Sequence, residues 1–76
     1  MRVGVLGRIA SGEEQGRYVL VRDDRSRTGG FLVLTAADRE FSRDAADSWV
    51  ESPDALERFA DESNWIIEWE GGDNGG

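Results

Sequence analysis

The stretch Ser52-Pro53-Asp54-Ala55-Leu56-Glu57-Arg58-Phe59-Ala60-Asp61-Glu62-Ser63-Asn64-Trp65-Ile66-Ile67-Glu68-Trp69-Glu70 decides the fold class, because its periodicity changes part-way along. Ser52 is a good N-cap, Pro53 suits the first helical position, and Asp54 sits favourably at the positive end of the helix dipole. Leu56, Phe59, Ala60 and Ser63 recur at i, i+3, i+4 and i+7, giving one apolar stripe with Glu57, Arg58, Asp61 and Glu62 turned outward. Asp61 and Glu62 oppose the dipole at the far end, and Asn64 is a plausible stop. The period then falls to two: Trp65, Ile67 and Trp69 share one side, Ile66, Glu68 and Glu70 the other. A helix over 53–63 followed by a strand over 64–70, aromatic side on the core, is the prediction. Trp65 and Trp69 are read as core residues.

Working back from that stretch, Phe31 to Leu34 and Tyr18 to Val21 are apolar on both sides, as central strands are. The polar segment between them, Asp23 to Gly30, ends in a Gly pair and reads as a hairpin connection. Val3, Val5 and Ile9 alternate with Arg2, Gly4, Leu6 and Arg8, a strand with one buried side, weakened by Gly4 and Gly7. Residues 11–16 read as a turn. Thr35 followed by Asp38 is a weak capping box and predicts a short helical turn over 36–43. Residues 44–47 show no period, and Ser48 to Glu51 reads as a very short extended piece. The predicted architecture is α+β: one domain over 1–70, with an antiparallel sheet of four strands (2–10, 17–22, 31–35, 64–70) and the 53–63 helix on one face. Residues 71–76 read as a flexible Gly-rich tail. One helix cannot cover both faces of such a sheet. Either Val19 and Val21, or Tyr18 and Leu20, must therefore be covered by the 36–50 segment or by another chain.

At 76 residues the chain buries only roughly 60% of its unfolded surface and needs good packing or a partner. Disulfides and structural zinc are excluded by the absence of Cys and His. Residues 1–43 carry a balance of +2 and residues 44–76 a balance of −9, which together give the net −7. All three Trp lie in the acidic stretch. Acid with aromatic anchors favours a basic partner. The apolar start, Val3 to Ala10, is broken by Arg8 and too short for a signal segment, and nothing approaches a membrane span of about 20 residues. A soluble, cytoplasmic protein is expected, with no membrane partner.

Nucleophilic and His-based catalysis lack their residues, since Cys, His and Lys are all absent. Glu68 and Glu70 share a strand side and are the available carboxylate pair, but so small a domain has little room for the apolar cleft that raises a carboxylate pKa. Neither Asp23 to Gly30 nor Asp44 to Asp54 has calcium-loop spacing, and Gly29-Gly30 lacks the rest of a phosphate loop. No enzyme, cofactor or metal is expected. Arg22, Arg25 and Arg27 form the one basic cluster. Asp23 and Asp24 sit inside it, and a net −7 repels phosphate backbones. Trp49 has two readings: a core residue covering Leu56 and Phe59, or a binding anchor rimmed by Asp47 and Glu51.

Asp47-Ser48-Trp49-Val50-Glu51-Ser52, then Leu56-Glu57-Arg58-Phe59, then Asn64-Trp65-Ile66-Ile67-Glu68-Trp69 resembles small acidic bacterial proteins of the toxin-immunity type. The likeness covers roughly residues 30–70 and is one of size, charge and aromatic placement. It implies a protein that blocks a basic toxin by presenting carboxylates and aromatics. The leading expectation is a non-enzymatic, acidic, immunity-like inhibitor whose partner-binding residues are Trp49, Glu51, Asp54, Glu57, Asp61, Glu62, Glu68 and Glu70. The alternative is a homodimeric or accessory subunit that uses an exposed apolar sheet face. A nucleic-acid or phosphate binder using Arg22, Arg25 and Arg27 stands third.

Overall fold

The computed structural model describes residues 1–70, so the predicted 71–76 tail lies outside the described residues. In chain order the elements are β1 (Leu6–Ile9), β2 (Tyr18–Asp24), β3 (Gly30–Ala36), β4 (Ala46–Val50), α1 (Pro53–Ser63) and β5 (Ile67–Trp69). The class is α+β with an antiparallel sheet, as expected, but the sheet has five strands and not four. Their order is β4-β3-β2-β1-β5. The first four strands meander, and α1 then carries the chain back across the sheet so that β5 pairs with β1 at the far edge.

The helix follows its sequence signals closely. Ser52 is extended (φ −158°, ψ 166°) and its hydroxyl accepts from the Ala55 amide at 3.1 Å. Asn64 closes the other end in a left-handed conformation, φ 57°, with its amide donating to the Asp61 carbonyl. Leu56 is buried, Phe59, Ala60 and Ser63 are half-buried, and Glu57, Arg58, Asp61 and Glu62 are exposed.

Strand register sorts the apolar residues onto two faces. Gly7 pairs with Val19, Val19 with Thr35, Val21 with Val33, and Phe31 with Val50. This is the face under α1, where Ile9, Val19, Val21, Val33, Phe31 and Leu56 form the core. Phe59, Trp65, Ile67 and Trp69 pack against it, with Phe59 and Trp65 in an edge-to-face pair 5.6 Å between centroids. The core reading of Trp65 and Trp69 holds. A Cβ at Gly7 would lie 2.5 Å from Ile67 Cγ2 and 2.8 Å from the Trp69 ring, so the bare backbone of β1 is what lets β5 settle there.

Several expectations are corrected. The first strand is 6–9 rather than 2–10, because Gly4 at φ 78° turns the chain. Val3 is left 42% exposed, in a lone parallel bridge to Val21. The helical turn expected over 36–43 is absent. Asp38 instead accepts from the amides of Ser42 and Arg43, both at 2.9 Å, and from the Ser42 hydroxyl, closing a non-helical loop. Finally, residues 46–50 are a full edge strand, where the sequence suggested only a short piece. Its burial is too low to show alternation, since four of its five residues are exposed. The two hairpin strands also run further than predicted, to Asp24 and from Gly30, and the last strand is shorter than 64–70.

Candidate functional site

The second face of the sheet has no helix. Register places Leu6 beside Leu20, Leu20 beside Leu34, Arg22 beside Leu32, and Leu32 beside Trp49. Tyr18, Leu6, Leu20, Leu32 and Leu34 are half-buried there. One corner is covered by the loop 37–45. Arg39 leans over the Tyr18 ring at 5.8 Å and pairs with Glu70 at 2.5 Å, and Arg17 Nη2 donates to the Asp44 carbonyl at 2.8 Å. Thus α1 covers the face of Val19 and Val21, whereas the 36–50 segment covers only the Tyr18 end of the other.

Trp49 lies on this open face, 49% exposed. Its core reading is therefore corrected: the sheet separates it from α1, so it cannot cover Leu56 and Phe59. The indole is nonetheless held. Nε1 donates to Thr28 Oγ1 at 2.9 Å, and that hydroxyl in turn donates to an Asp24 carboxylate oxygen at 2.9 Å. The ring also occupies the space where Gly30 has no side chain: a Cβ there would sit 2.6 Å from Trp49 Cε2 and 2.2 Å from the Val50 carbonyl oxygen. An exposed aromatic fixed by one hydrogen bond and one backbone contact loses little entropy when it meets a partner.

The acidic candidates do not gather around it. Glu51 follows directly in the bend between β4 and α1, and Asp54, Glu57, Asp61 and Glu62 line the exposed side of α1. Glu57 also meets the Met1 amino group at 3.1 Å. Glu68 is in register with Arg8, and Glu70 is engaged by Arg39, both at the β5 edge. Four strand spacings of about 4.8 Å separate that edge from Trp49, roughly 19 Å. The eight expected binding residues thus divide among a β4 edge, a helix flank and a β5 edge.

Asp47 is the β4 acid that shares the Trp49 face, two residues earlier on the strand and paired with Leu34. Beside it a cavity of about 300 Å³ opens, lined by Leu34, Phe41, Ala45, Ala46 and Asp47. The sequence signal for it was the i, i+2 spacing of Asp47 and Trp49, which becomes meaningful only once 46–50 is a strand. Phe41 carried no such signal, because its position depends on the Asp38 loop. The Asp38 carboxyl is held below its usual range, first by the Ser42 hydroxyl.

The basic cluster is partly consumed. Arg25 forks onto Asp23 through Nε at 3.0 Å and Nη2 at 2.7 Å, and its guanidinium lies 5.2 Å from the Phe31 ring centroid. These bonds hold the Asp23 carboxyl at about 2. Among the described residues no three carboxylates converge as a metal site, and no helix is long and apolar enough to cross a membrane.

No protein-family model, curated protein or solved structure matches the chain.

Proposed function

We propose that this protein is a non-enzymatic binding module for a basic partner protein, most concretely an inhibitor of the immunity type, and that its contact surface is the open sheet face centred on Trp49. The observation that carries this reading is the indole itself: half exposed, locked by Thr28 and Gly30, with Asp47 on its own strand and Glu51 in the bend that follows. A rigid aromatic in a polar, acidic rim is the form of a binding hot spot. The carboxylates of α1, on the other side of the sheet, contribute long-range attraction rather than contact, raising the association rate. Arg25 is already paired to Asp23, which weakens the phosphate-binding alternative.

A partner captured from host extract provides the test. Trp49→Ala should weaken its binding by about 2 kcal/mol or more, roughly thirtyfold, mostly through faster dissociation. Glu57→Arg with Asp61→Arg should slow association and flatten its salt dependence while leaving dissociation nearly unchanged. Affinity indifferent to Trp49→Ala, to the reversals and to salt would sink the proposal.

A second reading has its own support in the row Leu6, Leu20 and Leu34, which is apolar enough for a second copy of the chain to cover. Sedimentation showing a dimer that Leu20→Glu dissociates would favour it.

A further inference from the structure

We infer that the cavity between the loop 37–45 and the edge of β4 is a receptor for one arginine side chain of the basic partner, an inference that rests on the reading above and names its recognition element. Its lining is of two kinds. Leu34, Phe41, Ala45 and Ala46 provide an apolar wall for a methylene stem, and Asp47 provides a carboxylate. A guanidinium satisfies both, since its planar fork matches a carboxylate and it is weakly hydrated enough to lie against an aromatic ring. Lysine would bring the charge without the fork.

The loop is built in a way that serves this pocket. Phe41 holds φ at 58° and Asp44 at 51°, left-handed values that a side-chain-bearing residue adopts at a cost. Asp38 offsets that cost through the Ser42 and Arg43 amides, the Ala37 amide donates to the Arg43 carbonyl at 2.9 Å, and Arg17 anchors Asp44. The result is an aromatic fixed beside an acid on an edge strand. Charge agrees: the segment 38–51 carries Asp38, Glu40, Asp44, Asp47 and Glu51 against Arg39 and Arg43, and Arg39 is already bound to Glu70. Asp47 and Trp49 share a strand face, so an extended basic segment lying along β4 reaches the pocket and the indole together.

The probe is a capped glycyl-arginyl-glycine peptide, titrated to ~10 mM into the full chain and followed by backbone amide shifts. Saturable shifts at Leu34, Phe41, Ala45 and Asp47 are expected. They should weaken about tenfold when citrulline replaces arginine, and likewise in Asp47→Asn. Phe41→Leu, which keeps the apolar wall, should weaken arginine more than lysine. Absence of saturation, or equal shifts with citrulline or in Asp47→Asn, overturns the pocket. A failure there with Trp49→Ala still releasing the captured partner would leave the binding-module reading standing, so the two are separable.

Discussion

Both faces of this sheet carry large apolar side chains, yet only one is closed. Under α1 the side chains are mostly β-branched, with Ile9, Val19, Val21 and Val33 all buried to 2% exposure or less. On the other face Leu6, Leu20, Leu32, Leu34, Tyr18 and Trp49 remain partly in water, with the 37–45 loop over one corner. Stability resides in the first face. The second holds spare apolar surface, a fixed indole and an aromatic–acid pocket, which a small domain retains at some risk of aggregation unless the surface has a use. Hydrophobicity alone does not distinguish a core from an interface; what covers it does.

The largest test of that contrast compares one leucine from each side. Leu56→Ala should cost about 2–5 kcal/mol in urea unfolding, a large share of the stability of a domain this small. Leu34→Ala, on the open face, should cost roughly 1 kcal/mol or less. Equal losses would mean that the open face is folded against something else. Next in size is Gly30→Ala, whose methyl would meet the backbone of Val50 and the Trp49 ring. It should destabilise by about 1–3 kcal/mol and redden the Trp49 emission as the indole loosens. Ser52→Ala should remove about 1 kcal/mol by uncapping α1, with the open face undisturbed.

Acid should touch two surface sites, the Asp38 loop over the open face and the Asp23–Arg25 fork of the β2–β3 hairpin, and leave α1 itself in place, with the smallest change. The Asp38 carboxyl is depressed by the hydrogen bonds it accepts, so its contribution is present above the ordinary carboxylate value of 3.8 and is lost as pH falls through its lower folded value. The loop holding Phe41 should therefore loosen below that range while α1 itself stays folded. Amide shifts at Ser42 and Arg43 report it, and in Asp38→Asn the acid step should vanish. An acid transition seen first in α1 would contradict the contrast.

Much of this was legible along the chain. Ser52, Pro53 and Asn64 act through their immediate neighbours, so local chemistry placed α1 to the residue. Alternation placed Trp65, Ile67 and Trp69 on the core because burying large aromatic area outweighs the alternatives on so short a strand. The edge strand was much less legible. Ala46 to Val50 is exposed at four of five positions, so no buried side imposes a period, and it is a strand because β3 offers it a free ladder. Thr35 and Asp38 pointed to a helical turn for a similar reason: the Asp38 side chain satisfies amides equally well in either backbone, and Arg17 and Glu70, distant in sequence, select the loop.

What the sequence by itself determined is therefore the set of short-range choices: the caps of α1, the apolar central strands, the acidic second half and the absence of Cys and His chemistry. Which face of the sheet stays open was decided by the tertiary structure. The register of β2 and β3 against α1 closes Val19 and Val21 and leaves Leu20 and Leu34, although either pair would serve as a core by composition. The same register moves Trp49 from beside Leu56 to the opposite face and brings Phe41 to Asp47. Pairing across strands is a long-range property, in which a shift of one residue exchanges the two faces.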